Sequence, residues 1–306
     1  MTETEPIVRV SGVSHAFGDR EVLHGVDVDV SPGELLGVVG PNGAGKTTLI
    51  RLMQGLLRPT VGSVTTFGAA AWPPDRVRNG RIGVQPQDPA LFEQLTVREQ
   101  LRLFVRLHGA DDAEASRAAA TLGLDDCLGV RLERLSGGQR QRLSVACALV
   151  GAPELLFLDE PTANVDPIAR RRMRTVLREV VSRGAAMVYT SHDLNEVGDL
   201  CDRVVVLARG RVLAEGTPGE LEKRSGLKTL EVHADDLLAV GDLDLDEVVG
   251  AELDGDVLIL VSRDAAHTFD AVRRVAPDAR ITVRSEPFED LYVRLVTRAE
   301  ERSAEQ

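Results

Sequence analysis

Residues 40 to 47 read Gly40-Pro41-Asn42-Gly43-Ala44-Gly45-Lys46-Thr47, a complete G-x-x-x-x-G-K-[ST] loop. No other stretch constrains the fold as strongly. Backbone amides can close around phosphate oxygens only where no Cβ stands in the way, so the glycines dictate an anion-wrapping turn. Lys46 brings a compact point charge to the β/γ-phosphates, and the Thr47 hydroxyl can hold a divalent cation. The preceding run Leu35-Leu36-Gly37-Val38-Val39 predicts a buried strand. Thr48-Leu49-Ile50-Arg51-Leu52-Met53 predicts the helix whose N-terminus faces the anion. Only three of the 36 basic residues are lysines, Lys46, Lys223 and Lys228. An ammonium fits a narrow phosphate cradle better than a planar guanidinium does, which sets Lys46 apart from this arginine-rich background.

Chain length allows one large domain or two ordinary ones. Charge supplies the division. Residues 1–230 carry 28 basic and 29 acidic side chains, and residues 231–306 carry 8 and 19. The shift predicts a larger domain over 1–224 and an acidic α/β domain over 225–306. A net charge of −11 in the latter argues against nucleic acid or anionic lipid as its ligand. No run approaches the roughly 18 to 20 apolar residues of a membrane span. The acidic start Met1-Thr2-Glu3-Thr4-Glu5-Pro6 has no signal-peptide core, so a cytosolic location is expected. Cys127, Cys147 and Cys201 are scattered and odd in number, as buried reduced thiols are.

Val8 to Phe17 and Val26 to Val30 predict strands, and Pro59-Thr60-Val61-Gly62 a turn. Thr96-Val97-Arg98-Glu99 is a capping box opening a helix to about His108, and residues 110–128 read as helical. Residues 88–150 therefore form a helical insert within an α/β core. Leu155-Leu156-Phe157-Leu158, Ala186 to Thr190 and Arg203 to Leu207 are apolar runs of the buried parallel kind. Between them, residues 168–182 form a helix whose arginines suit a solvated face. The C-terminal strands at 230–232, 256–260 and 279–283 alternate with helices at 264–275 and 287–299. That alternation predicts a small, ferredoxin-like α/β sandwich.

The run ending at Leu158 leads into Asp159-Glu160-Pro161. Ligands bind at the carboxyl edge of a parallel sheet, and two acids there are costly unless a cation or a reacting water uses them. Asp159 can hold Mg²⁺ through water, and Glu160 can deprotonate the attacking water. Leu135-Ser136-Gly137-Gly138-Gln139 opens another helix, a second anion-binding end. His192 leaves a third strand within Thr190-Ser191-His192-Asp193, and Gln87 follows Ile82-Gly83-Val84-Gln85-Pro86.

In this order the motifs over about residues 7–220 resemble the ATPase subunit of ABC transporters. The resemblance implies ATP and Mg²⁺ as ligands. It assigns Gly40, Pro41, Asn42, Gly43, Ala44, Gly45, Lys46, Thr47 and Thr48 to the phosphate loop. Gln87 matches the glutamine loop, beside the metal and the reacting water, and Ser136, Gly137, Gly138 and Gln139 match the signature. Thr47, Gln87 and Asp159 become the metal group, and Lys46, Gln87, Glu160 and His192 the catalytic one. Asp166 matches the aspartate loop, although Ala163-Asn164-Val165-Asp166 departs from the usual Gly-Leu-Asp type. Phe17 matches the adenine-stacking aromatic, and a hairpin core role fits it equally. What the family implies further is a head-to-tail dimer with a second, identical or related ATPase subunit. An integral-membrane permease would be the partner, at the cytoplasmic face of the cell membrane. The ending Pro287 to Leu295 resembles the tail of drug- and polyketide-exporting members (the daunorubicin-resistance-like, ABC-2 type group). An importer ATPase with a regulatory C-terminal domain, or a non-transport ABC ATPase, stands as the alternative.

Overall fold

The computed structural model describes residues 5–88, 91–111, 113–234 and 245–304. The chain divides into two compact units, Met1–Glu215 and Gly216–Gln306.

In the first unit, β1 (Val8–Phe17), β2 (Arg20–Val30), β4 (Val61–Thr66) and β5 (Ala69–Ala70) form an antiparallel sheet in the order β2-β1-β4-β5. Val8, Val10, Val13, Val26, Val28 and Val30 alternate inward and are buried, as a sheet with one covered face requires. The turn expected at 59–62 is corrected here, because Val61 and Gly62 already belong to β4. A Cβ at Gly62 would stand 2.5 Å from the Ser11 carbonyl oxygen and 2.4 Å from that of Gly12. The glycine marks a close approach to β1 rather than a chain reversal.

The second sheet holds β3 (Leu35–Val39), β6 (Ile82–Gln85), β7 (Leu155–Asp159), β8 (Ala186–Thr190), β9 (Arg203–Ala208) and β10 (Arg211–Gly216), in the order β10-β9-β3-β8-β7-β6. The pairs from β9 through β6 are parallel. Every residue of β3 and β8 is buried, so their unbroken apolar sequence follows from cover on both faces. Register places the site. Gln85 pairs with Leu158 and Asp159 with Thr190, bringing the ends of β6, β7 and β8 together.

Helices α1 (Lys46–Met53), α2 (Arg76–Asn79), α3 (Val97–His108), α4 (Ala113–Thr121), α5 (Gly137–Leu149), α6 (Pro167–Ser182) and α7 (Leu194–Leu200) complete this unit. The Thr96–Glu99 capping box is formed in full. The helix expected over 110–128 is shorter: α4 ends at Thr121 and only a 3₁₀ turn, Asp125–Cys127, follows. Gly123, at φ +64°, lies between the two. Four carbonyls at this end are taken up by arginines. Arg142 donates to Leu122 and Gly123, and Arg172 to Ala120 and Thr121.

The second unit opens with α8 (Pro218–Ser225), followed by β11 (Lys228–His233), β12 (Val248–Asp254), β13 (Val257–Ser262), α9 (Ala265–Val275), β14 (Arg280–Ser285) and α10 (Phe288–Ala304). Its antiparallel sheet runs β12-β13-β11-β14 over a core of Leu230, Val232, Leu258, Leu260 and Val272. Strand β12 was not foreseen. Its last four residues are exposed, so it carries no apolar alternation to betray it.

Candidate functional site

The loop after β3 turns into α1 through Gly43 (φ +79°) and Gly45 (φ +106°). A Cβ at Gly40 would meet the Leu207 carbonyl oxygen at 2.0 Å, and one at Gly45 the Leu23 Cδ2 at 2.7 Å. At Gly43 a Cβ would meet nothing within 4 Å, so only backbone conformation selects glycine there. Gly45 caps α1 without any side-chain hydrogen bond. The first amides of the helix are thus left to a ligand. Lys46 folds across the loop, its Nζ donating to the carbonyls of Gly40 at 2.6 Å and Pro41 at 3.1 Å. Burial pulls its pKa below the usual lysine value, while the charges of Glu160 and Asp159 oppose that shift.

A cavity of about 570 Å³ opens over this loop. Asn42, Gly43, Ala44, Gly45, Lys46, Thr47 and Thr48 form one wall, and Phe17, Gln87, Asp159 and Glu160 stand around it. Phe17 is half exposed and forms a T-shaped pair with the His15 ring, 4.7 Å between centroids. Asp159 and Thr47 contribute hard oxygen donors to one cavity, a donor set that suits Mg²⁺.

The acid pair and the histidine meet. Glu160 Oε1 lies 2.7 Å from His192 Nε2, and Gln87 Nε2 stands 3.5 Å from the same oxygen, at the outer limit of a hydrogen bond. Glu160 adopts φ +53°, a conformation non-glycine residues rarely take and one associated with functional sites. The strain is held by several bonds. Its amide donates to Thr190 O at 3.1 Å and Thr190 Oγ1 at 3.0 Å, and its carbonyl accepts from Gln141 Nε2 at 2.8 Å. Thr190 Oγ1 also donates to Asp159 Oδ1 at 2.5 Å.

Ser136, Gly137, Gly138 and Gln139 do not line this cavity. Ser136 caps α5, accepting from Gln139 N at 3.2 Å, while Gln139 Oε1 accepts from Ser136 N at 2.9 Å. The side chains of this motif therefore close a capping box, leaving its outward glycine amides for any anion. Gly138 packs beside the aspartate loop, where a Cβ would come 3.0 Å from Asn164 O. Asp166 caps α6, accepting from the amides of Ile168 and Ala169 at 3.1 and 3.0 Å.

Four residues at the site escaped the reading of the sequence. Arg20 and Val22 line the cavity from β2, while Gln141 and Thr190 hold the acid pair. Thr190 had a usable signal: a hydroxyl at the end of an apolar strand that must lie beside the strand ending in Asp159. Gln141 had none, since one glutamine among the polar residues opening a helix is unremarkable.

The pattern describing the ABC transporter family matches residues 23–163. The Nod factor export ATP-binding protein I of Rhizobium sp. (strain N33) is 34% identical over 300 residues, covering 96% of this chain and 98% of that protein. The protein of that name from Burkholderia orbicola (strain AU 1054) is 36% identical over 294 residues, with 94% and 95% covered. Among solved structures, an ATP binding subunit of an ABC transporter superposes with a TM-score of 0.67 at 29% identity, over 72% of this chain and 93% of that one. The cbiO1 protein from Clostridium perfringens, part of the ABC transporter complex cbiONQ, gives 0.64 at 27%, over 72% and 92%. With the phosphate loop, acid pair and histidine gathered at one sheet edge, these likenesses show that the chain belongs to the ABC transporter family, as an ATP-binding subunit with ATPase activity.

Proposed function

We propose that this subunit works as one half of a head-to-tail ATPase pair that drives an exporting permease at the cytoplasmic face of the membrane. The observation that carries the reading is the division of the anion-binding features. Lys46, Asp159 and Glu160 stand around one cavity, whereas Ser136 and Gly137 are exposed away from it. A second copy could bring its signature end to that cavity and complete the site. Export is favoured by relatives named for Nod factor export that align along nearly the whole chain. Among the described residues no helix is long and apolar enough to cross a membrane.

Within that reading, the loop amides and Lys46 hold the triphosphate and Phe17 stacks on adenine. Thr47 and Asp159, with Gln87 beside them, would hold Mg²⁺, whose charge offsets that of the phosphates. Glu160 takes the proton from the attacking water, and His192, at 2.7 Å, orients the carboxylate. The arrangement acts chiefly by positioning and electrostatics, as phosphoryl transfer demands.

The test uses two defective chains. Ser136→Arg should keep ATP in its own phosphate loop yet lose hydrolysis, and Lys46→Ala should lose nucleotide. A mixed pair has one doubly damaged site and one intact site. Activity or ATP-dependent dimerisation should therefore return on mixing. Wild-type turnover by Ser136→Arg alone, or recovery of neither property on mixing, overturns the shared site.

A further inference from the structure

Glu196 is a buried acid for which the scheme above has no use. It sits in the first turn of α7 with 3% of its surface exposed. Its Oε2 accepts from Thr162 Oγ1 at 2.7 Å and from Ser191 Oγ at 3.2 Å. No hydrogen-bond partner reaches its Oε1 among the described residues. Tyr189 OH stands 3.4 Å from Thr162 Oγ1. Burial, and then the negative charge of Glu196, hold that phenol's pKa well above its ordinary value. A carboxylate buried with one oxygen unpaired is expensive.

The two hydroxyls it holds come from the two loops that matter. Thr162 lies two residues beyond Glu160, and Ser191 immediately precedes His192. Ser191 Oγ also accepts from Asp193 N at 3.1 Å, and Asp193 Oδ1 accepts from Glu196 N at 3.0 Å, so the histidine loop is wound around the same group. On its outer side that loop is tied by Arg170, which donates to Asp193 Oδ2 at 3.2 Å. Glu160 needs such support, because its positive φ persists only where the surroundings over-determine it.

We propose that Glu196 is a positioning residue, a buried strut that locks the Glu160 loop against the His192 loop. It rests on the reading that Glu160 and His192 perform hydrolysis. Glu196 does not line the cavity over the phosphate loop. It acts through Thr162 and Ser191, and what it supplies is the 2.7 Å contact between the acid and the histidine.

The experiment compares Glu196→Ala and Glu196→Gln with the full-length parent. In Glu196→Ala, kcat should fall about ten- to hundredfold while KM and equilibrium ATP affinity stay within about twofold, since a displacement near 1 Å is costly for chemistry and not for binding. Glu196→Gln should recover most of that loss, because an amide oxygen can still accept from both hydroxyls. Without nucleotide, hydrogen exchange should quicken together at residues 160–163 and 190–193 in Glu196→Ala and not in Glu196→Gln. Adding Glu196→Ala to Glu160→Gln should cost little more than Glu160→Gln alone, as expected of residues acting as a unit. Should Glu196→Ala fail to fold, Ser191→Ala, which removes one of the two hydroxyls, must show the same fall in kcat at constant KM. An unchanged kcat, a loss that only tracks the folded fraction, or equal losses in both Glu196 variants would overturn the strut. A fully active Glu160→Gln would instead overturn the assignment of the base, whatever Glu196 does.

Discussion

Two helices in this chain begin on glycine-rich turns, and their first turns are finished in opposite ways. Behind α1 stands Gly45 at φ +106°, with no side chain capping the helix. Behind α5 stands Ser136, whose hydroxyl and backbone amide are both engaged by Gln139. Both ends carry the partial positive charge of a helix start. One is left bare inside a cavity beside a lysine, so only a ligand can complete it. The other has its capping bonds made by its own residues and sits at the surface, so an anion there meets only the glycine amides that the box leaves open. This contrast is what a divided site would look like from one chain: a socket that requires nucleotide, and a lid that is stable without it.

The largest effect should come from closing the socket with a single methyl group. In Gly45→Ala the new Cβ meets Leu23 Cδ2 at 2.7 Å and Val22 O at 3.2 Å, at a φ that L-residues avoid. The strain is worth about 1–3 kcal/mol, and the loop must move to relieve it. Loss of ATP binding together with a lowered melting temperature is the expected outcome. Retained affinity would mean that the loop does not need this conformation to hold phosphate. The mirror change, Gly137→Ala, meets nothing within 4 Å and lies in a helical turn. Alanine there should stabilise α5 by about 0.5–1 kcal/mol. ATP should still bind, and hydrolysis should nevertheless fall if this end docks against a partner's triphosphate. A more stable and fully active Gly137→Ala protein would remove the signature end from the reaction. Gly138→Ala is the intermediate case, because its Cβ comes 3.0 Å from Asn164 O and pushes on the segment before Asp166.

A smaller effect measures the cap itself. Ser136→Ala removes the hydroxyl that accepts from Gln139 N, which typically costs about 1 kcal/mol. Thermal melting and exchange at the start of α5 should register it, with ATP affinity unchanged. If affinity falls as well, the two ends are coupled within one chain and the contrast drawn above is too sharp.

The same two helices show how far the sequence could be read. α1 and its loop were legible because chemistry forced a rare combination of glycines, lysine and threonine into eight positions. The Thr96–Glu99 box was legible for the same reason, since both partners lie within one turn. The apolar strands around the site were legible through unbroken burial. What stayed hidden depends on neighbours distant in the chain. Thr190 acquires its role only because β7 and β8 pair with Asp159 opposite it, and Gln141 only because α5 passes the Glu160 carbonyl. The conformation of Glu160 was invisible too, since nothing in Asp159-Glu160-Pro161 demands a positive φ. The bonds between Ser136 and Gln139 follow from S-x-x-Q spacing, both partners lying within one turn.

The smallest expected effect separates the capping boxes by pH. α3 and α8 are closed by carboxylates. Glu99 Oε2 accepts from both Thr96 N and Thr96 Oγ1 at 2.8 Å, and Glu220 Oε2 accepts from Thr217 N at 3.0 Å. The backbone hydrogen bonds, then the threonine hydroxyls, hold both carboxyls below the usual glutamate value. The folded state therefore binds a proton less readily than the unfolded chain. The contribution is complete above the unfolded value, near ~4.3, and is lost as pH falls through the lower folded one. The box on α5 is closed by the amide of Gln139, which does not titrate. With intrinsic rates accounted for, exchange at the first turn of α3 should open on acidification before that of α5. Gln139→Glu should make α5 follow α3, while at pH 7 keeping the box and placing a favourable negative charge at the helix start. In the proposed pair that charge would also stand where a partner's phosphate docks, so hydrolysis should drop although the helix is no weaker. Unchanged hydrolysis in Gln139→Glu would show that this end never meets phosphate, and simultaneous acid opening of α3 and α5 in the parent would show that the Ser136–Gln139 bonds hold nothing.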